Sequence, residues 1–472
     1  MEHVTGNDIL EATGGRLLGG DPARKLKEIR LDSRDVKPGD LFVTLIGEQV
    51  DAHRFLPQVA AAGAGAVLLS DEAAYQAYRE RAGKSENGTA WILVPDTKKA
   101  LQDVGRFLRK RLTLPLVGVT GSVGKTTTRE MIAAALSAKF QTFKTPGNSN
   151  SQVGVPVTIS QICPEDEAGV IELGMSEPGE LTVIAKIAKI DIAVITNIGL
   201  AHIGQLGSQE NIFREKMTIQ DGLRDGGVLI LNGDDEFLKS AKGREGVKTI
   251  YYGTGENCEF RAEDIVLKDG KAWFTAVHGG ERTPVHLNVM GLHLVQNAMA
   301  AIAVCAELGM TMEEAARGLL TFDGFQNRQQ LCRGERMTIL NDSYNASPSS
   351  MRAALDVLRD LSPENRHVAV LADMKELGEN SPLYHRQVGE YAAKTGLSLL
   401  VTLGTDAKEI AAGAREKNPG IETAEFDAME DLAAYLDREL KDGDCVLFKG
   451  SNSMKLSPLA AEWIKKAGPE RN

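Results

Sequence analysis

Cysteine is scarce in this chain: five occur in 472 residues, Cys163, Cys258, Cys305, Cys332 and Cys445, and no two form a CxxC pair. That spacing excludes the common cysteine-rich zinc sites and argues against a disulfide scaffold, so a reducing compartment is expected. Positive charge is also short, with 54 Lys and Arg against 65 Asp and Glu and a formal net charge of −11. A duplex nucleic-acid binder or a protein held on an acidic membrane surface needs a basic footprint that this balance does not supply. A local cationic pocket for a phosphorylated small molecule remains compatible with it. Long apolar runs are missing as well. The most apolar stretches, 60–69 and 298–306, are too short to span a bilayer, and no stable membrane insertion is expected. The opening MEHVTGNDILEATGG lacks a basic segment followed by an apolar run, so no secretory leader is expected and the cytoplasm is the expected location.

What is present is an ordinary globular composition, 42% hydrophobic and 25% charged, which excludes wholesale disorder. At roughly 150 residues per domain the length suggests three domains. Short apolar runs alternate with helical patterns through most of the chain, the signature of α/β architecture with mostly parallel sheets. Strand-like runs at 40–46 and 66–69 and a helical pattern at 100–111 form a small first unit, 1–113. The pattern changes at Leu114-Pro115. The second unit, 114–327, starts with a strand at 116–119, then a Gly-rich turn and a helix at 125–138. Further strands are expected at 169–173, 190–196 and 228–231, and Asp269-Gly270 predicts a hairpin appendage. After a linker at 323–327 the alternation resumes, with strands at 337–340, 367–371, 399–403 and 445–449. This third unit, 328–472, reads as a Rossmann-like, doubly wound domain.

The most informative stretch is VGVTGSVGKTTT, residues 117–128. A strand ends, a Gly-rich turn follows and a helix begins, which is the context a phosphate-binding loop requires. Gly121 and Gly124 let the backbone approach phosphate oxygens, and successive N–H groups can point into one concavity at the positive end of the helix. Lys125 would reach the β- and γ-phosphates and the Thr126 hydroxyl a Mg²⁺ ion. The usual pattern has Gly where this chain has Val119, so the loop is a variant. No [NT]KxD guanine-specificity motif is present, which favours ATP over GTP. Glu172 ends the apolar strand GVIE beside this loop, where either a Mg²⁺ ligand or a salt-bridged strand end is expected. His202, in TNIGLAHIG, lies past another buried strand on the same sheet rim. Read alone it is either structural or a metal ligand. Lys216, in NIFREKMTI, carries no signal of its own.

Taken together, TGSVGKTTT, IELGM, TNIGLAHIG, NDSYNASPSSM and KGSNSMKL resemble the ATP-dependent Mur ligases, and the resemblance covers essentially the whole chain, including DSRDVKPGDLFVTLIGEQVDAHRF. NDSYNASPSSM and LADMKELGENSPLYHRQVG are most similar to the branch that adds D-alanyl-D-alanine. The DNPR-like and DYAH segments of the branch adding the third residue are absent, as is the DGAHNP of folate-glutamate ligases. The resemblance implies an N-terminal domain for the uridine nucleotide, a central ATPase domain and a C-terminal domain binding ATP and the dipeptide. It implies an ATP site built from Thr120, Gly121, Ser122, Val123, Gly124, Lys125 and Thr126, with Asn297 at the adenine and Arg328 and Asp342 on phosphate and ribose. Two Mg²⁺ ions are implied, the first on Thr126 and Glu172, the second on His202 and Lys216, the lysine carrying a carbamate. Ser33, Arg34, Asp51 and His53 match the uridine segment, and Asn148 and Asn150 a loop that positions the peptide. Tyr344, Asn345 and Lys449 fall in the blocks expected to meet the dipeptide side of the site. The chain departs from the family's usual residues at 291–294, Ser151, Thr218, Ala52 and Asn452.

The implied chemistry is amide formation. An ammonium and a carboxylate do not condense unaided, so the terminal carboxylate of UDP-N-acetylmuramoyl-tripeptide would attack the γ-phosphate of ATP and become an acyl phosphate. The amine of D-alanyl-D-alanine would then displace phosphate through a tetrahedral intermediate. No Ser-His-Asp or Cys-His nucleophile is needed. The enzyme is expected to act as a monomer in peptidoglycan precursor synthesis, with no nucleic-acid partner. Two alternatives stay open: a paralogue with another amine acceptor, and a nucleotide-dependent switch using the same loop.

Overall fold

The computed structural model describes residues 1, 3–82, 88–362 and 364–469. Three α/β domains follow one another, each built on its own sheet. The first sheet has five strands in the order Arg16–Gly19, Ala90–Leu93, Ala66–Leu69, Leu41–Val43, Ile29–Arg30. The expected strand at 40–46 is shorter than predicted, because the chain turns away after Val43.

The central sheet has nine strands. Leu116–Thr120 lies in its middle, paired in parallel with Ala168–Glu172 on one side and Ile192–Ile195 on the other. All three strands are buried along their whole length, which is why they read as continuous apolar runs rather than alternating ones. The chain leaves Leu116–Thr120 toward one edge and returns past it to the other side, so the Gly-rich turn sits where the strand order reverses. Ligands of open α/β sheets bind in that crevice. Asp269 and Gly270, at φ 51° and 74°, do make the hairpin turn. The hairpin is no appendage, however. Phe260–Lys268 pairs in parallel with Lys248–Gly253, and Lys271–His278 and Glu281–Met290 extend the same sheet antiparallel.

The third sheet is parallel except for its first strand. Its order is Gln330–Arg333, Thr338–Asp342, Cys445–Lys449, His367–Ala372, Leu399–Leu403, Glu422–Phe426. The last strand of the chain is therefore inserted in the middle. Two edge strands were not visible in sequence, since Glu422–Phe426 (ETAEF) and Gln330–Arg333 (QLCR) lack an apolar run.

Packing divides the molecule unevenly. One apolar core runs without a break from Val4 through the helix Thr97–Lys110 to one face of the central sheet, so the first two domains share it. The third domain has separate cores on its two faces. Arg109 secures the shared boundary. Its side chain is 1% exposed, and it donates to the carbonyls of Ala188 (2.7 Å), Lys189 (3.0 Å) and Leu112 (3.0 Å), with Asp191 at 3.3 Å. The Ala188 and Lys189 carbonyls end the helix Glu180–Ala188, where a cation also meets the negative end of the helix dipole. Burial pushes the guanidinium down to about 10. Arg109→Met is expected to lower stability by about 3 kcal/mol, because it leaves buried carbonyls and Asp191 without a donor. Urea unfolding of the two proteins, compared at equal slope, measures the difference.

Candidate active site

The phosphate-loop candidate is held by the strand end beside it. Gly121 has φ 150° and Gly124 φ 83°. A Cβ on Gly121 would lie 1.9 Å from Thr196 Oγ1, so no other residue fits there. The Thr196 hydroxyl donates to the Val123 carbonyl at 2.6 Å, and Asn197 brackets the turn. Its Oδ1 accepts from Val123 N–H at 3.0 Å, its carbonyl accepts from Ser122 N–H at 3.0 Å, and its amide donates to Val123 O at 2.9 Å. Gly199 N–H donates to Ser122 Oγ at 2.8 Å. Helix Lys125–Leu136 starts directly from Gly124, leaving its first N–H groups facing the cavity.

Lys125 is folded back, donating to Gly121 O at 2.8 Å. Desolvation pushes its ammonium down, opposed by the charges of Glu172 and Glu376 and assisted by Arg328. Thr126 Oγ1 donates to Glu172 Oε2 at 2.8 Å. Glu172 is 1% exposed and also accepts from Arg129 Nη1 at 3.2 Å and Asn150 Nδ2 at 2.8 Å. It is thus both the salt-bridged strand end and an oxygen donor beside the loop. Asn150 in turn donates to Asn148 Oδ1 at 2.9 Å.

A cavity of about 860 Å³ opens over this loop, in the size class of small-molecule sites. Of the residues singled out in sequence, Ser122, Val123, Gly124, Lys125, Thr126, Asn148, Asn150, Glu172, His202, Asn297, Arg328, Asp342, Tyr344, Asn345 and Lys449 all line it. Asn297, in the first turn of helix Leu294–Glu307, stands 3.5 Å from the position of a Cβ on Gly124. From the third domain, Arg328 stacks over the Tyr344 ring at 4.0 Å, and its Nε is buried without a partner. Asp342 and Lys449 are register partners at the ends of adjacent strands and form a buried ion pair. Lys449 also donates to Asn345 O at 3.0 Å.

The remaining candidates lie elsewhere. Thr120 and Gly121 sit beneath the loop, not on the cavity wall. Lys216, on helix Gln209–Met217, is 1% exposed and is not among the lining residues. Its amine is pushed well down by burial and by the Lys125 charge. The charge of the neighbouring Glu215 opposes this only in part, and that carboxylate also accepts from Gly179 and Leu181 N–H groups at 3.0–3.2 Å. Ser33, Arg34, Asp51 and His53 are grouped in the first domain. Arg34 is exposed and paired with Asp32. His53 is buried, with Nδ1 2.6 Å from Asp51 Oδ1, and Nε2 takes Ser70 N–H at 3.0 Å and Asp71 N–H at 3.2 Å.

The oxygen pair Thr126–Glu172 beside the loop has the hard-donor chemistry that suits Mg²⁺. No group of three His, Cys, Asp or Glu side chains converges on one point among the described residues, so any second ion would need a donor beyond those types. A carbamate on Lys216 would supply oxygens of that kind, whereas the unmodified amine does not.

Sequence reading missed three residues. Asn197 could have been found as a polar residue directly after a buried strand. Arg129, fully buried between Glu130 and Glu172, and Glu376, 2.7 Å from His202 Nδ1, could not, because the partners that place them at the site, Glu172 and His202, are distant in sequence.

A Gly-rich loop at the switch point of the central sheet, closed over by a third α/β domain, defines a nucleotide-using enzyme whose site lies between domains. The chain belongs to the Mur ligase family. Residues 25–108 match the family's catalytic domain, 119–305 the Mur ligase middle domain and 327–452 the Mur ligase glutamate ligase domain. It is similar to UDP-N-acetylmuramoyl-tripeptide–D-alanyl-D-alanine ligases from Bacillus subtilis (36% identity, covering 93% of each chain) and Escherichia coli (32%, covering 87% and 88%). The crystal structure of MurF from Acinetobacter baumannii is 31% identical with a TM-score of 0.86, over 98% and 99% of the two chains. MurF ligase from Thermotoga maritima, in complex with ADP, is 27% identical with a TM-score of 0.80, over 93% and 98%.

Gly121→Ala should leave the far-ultraviolet circular dichroism unchanged and weaken ADP binding at least about 100-fold, equivalent to roughly 2.7 kcal/mol, because the added methyl displaces the loop from Thr196. Titration calorimetry reads this directly, and unchanged affinity would contradict the loop assignment.

Proposed function

We propose that this protein is an ADP-forming peptide ligase that joins the amine of D-alanyl-D-alanine to the terminal carboxylate of UDP-N-acetylmuramoyl-tripeptide. The observation that carries this reading is the cavity, where a phosphate loop from the central domain and Arg328, Asp342 and Lys449 from the third face one volume. Full-length relatives bearing that activity in their names support it. A switch protein has no need of a third domain reaching into its nucleotide site. We place the protein in the cytoplasm as a monomer, with domains at 1–113, 114–327 and 328–472. No helix of the described residues is long and apolar enough to cross a membrane.

In this reading the loop N–H groups and Lys125 hold the β- and γ-phosphates, Asn297 the adenine, and Arg328 and Asp342 the phosphate and ribose. Thr126 and Glu172 hold one Mg²⁺, and His202 with a carbamylated Lys216 holds a second. When bound, the ions would neutralise the phosphoryl oxygens as charge spreads over them. The buried, depressed amine of Lys216 keeps more of its lone pair free than an ordinary lysine, which is what carbamate formation requires. Asn148 and Asn150 position the peptide carboxylate for in-line attack on the γ-phosphate, giving an acyl phosphate. Tyr344, Asn345 and Lys449 face the incoming dipeptide, whose amine attacks the acyl carbon and expels phosphate. Enclosure between domains keeps water from hydrolysing the acyl phosphate. Ser33, Arg34 and Asp51 hold the uridine nucleotide, with His53 ordering that segment from within.

With ¹⁸O in the tripeptide carboxylate, one label should appear in released phosphate during turnover with ATP and D-alanyl-D-alanine. Retention of all label in the product would exclude an acyl phosphate, and ADP release at an equal rate without dipeptide would exclude the ligase reading. A panel of other amines tests acceptor choice in the same assay.

Lys125→Ala should lower kcat about 10³-fold, the scale for losing one preorganised donor to a developing charge. Lys216→Ala should be nearly inactive and regain turnover with added short-chain carboxylic acids. Full activity of the unsupplemented variant would remove the carbamate from the mechanism.

A further inference from the structure

One of the places where the central and third domains meet lies beside the cavity. On the central side are residues 200–204, just past the buried strand Ile192–Ile195. On the other is the loop 373–378 that follows His367–Ala372. Gly204 N–H donates to Glu376 O at 3.1 Å. A Cβ on Gly204 would lie 3.1 Å from Gly378 N and 3.3 Å from Glu376 O, so the two backbones are in close contact and any larger residue would crowd the junction. Leu200 and Ile203 pack into the apolar core of the third domain. His202, at the centre of the junction, has φ 63°, and Glu376 has φ 66°. Both are held in the left-handed region, which is unfavourable for a non-glycine residue and is retained where surroundings impose it.

The side chains of these two residues face each other. His202 Nδ1 is 2.7 Å from Glu376 Oε2. The approach is close without being linear, so Nδ1 has no aligned hydrogen bond. Because the two ring nitrogens point in nearly opposite directions, a carboxylate at Nδ1 leaves Nε2 directed away from Glu376. Metal-binding histidines commonly have this arrangement, with a carboxylate on the far nitrogen fixing ring orientation and tautomer. Here the carboxylate comes from another domain. It is also firmly placed from behind: Met374 N–H donates to the buried His385 Nε2 at 2.9 Å, Lys375 N–H to Ser451 Oγ at 2.8 Å and Ser451 N–H to Asp373 O at 3.0 Å.

We propose that Glu376 is a positioning residue that transmits domain closure to His202: docking of loop 373–378 on Gly204 brings its carboxylate to Nδ1 and orients the imidazole as a ligand for the second divalent cation. The cation site is then complete only when the third domain has closed. This rests on the two-ion reading above, and the test separates the two.

Mn²⁺ binding to the full-length protein with a non-hydrolysable ATP analogue, followed by electron paramagnetic resonance, counts and ranks the sites. Wild type should bind two ions. Glu376→Gln should keep the first and weaken the second about 10-fold or more, the scale for losing a carboxylate behind a metal-bound histidine. Its kcat should fall and recover at high Mn²⁺, with KM for ATP little changed. Gly204→Ala keeps both side chains but obstructs the backbone contact. It should lose the second ion likewise and stay more extended in small-angle scattering when nucleotide is added. One ion in wild type would overturn both the two-ion reading and this proposal. Two ions of undiminished affinity in Glu376→Gln, or equal weakening of both, would overturn the proposal alone.

Discussion

The constraint behind this structure is electrostatic: a ligase of this kind must bring a triphosphate and carboxylates together although its own formal charge is −11. Cations therefore have to be concentrated in one place, and the structure supplies them from two domains. Lys125 comes from the loop, and Arg328 and Lys449 come from the third domain. Each is restrained before any ligand arrives. Lys125 lies against Gly121 O, Arg328 is stacked on Tyr344, and Lys449 is paired with buried Asp342. Low local dielectric makes such charges effective and also costly to bury, so each has a partner that offsets part of the burial.

The division of the apolar cores follows from the same need. The first two domains share a continuous core and an Arg109 staple, so the first domain and the Gly-rich loop keep a fixed relation. The third domain has its own cores and touches the centre through the 200–204 junction, Met290 and Gly291, and the linker. An enclosed site with bulky reactants requires one part of the wall to move, and the independently packed domain is the part that can do so at little cost in buried apolar area.

What could be read in advance depended on whether the signal was local. The loop was legible because strand, glycines, Lys125 and Thr126 are contiguous. The buried strands were legible because parallel strands are uniformly apolar. The edge strand Glu422–Phe426 was not, because one exposed face dilutes the pattern. His202 and Lys216 gained meaning only from the family resemblance, since a single His or Lys has no periodicity to betray it. Glu376 escaped altogether: its partner lies 174 positions earlier, His202 at 202 and Glu376 at 376, and only the docking of two domains brings them together.

Lys216 shows how far burial alone can constrain chemistry. An unmodified lysine ammonium there would be desolvated and repelled by Lys125, a cost that the charge of Glu215, whose oxygens cap helix Glu180–Ala188, offsets only in part. That is an expensive place for a positive charge and an inexpensive one for a neutral amine. A carbamate would reverse the sign of the residue and turn repulsion from Lys125 into attraction. The fold thus disfavours the ordinary ammonium state of this lysine, and the same burial that raises the cost of a cation there keeps the amine nucleophilic.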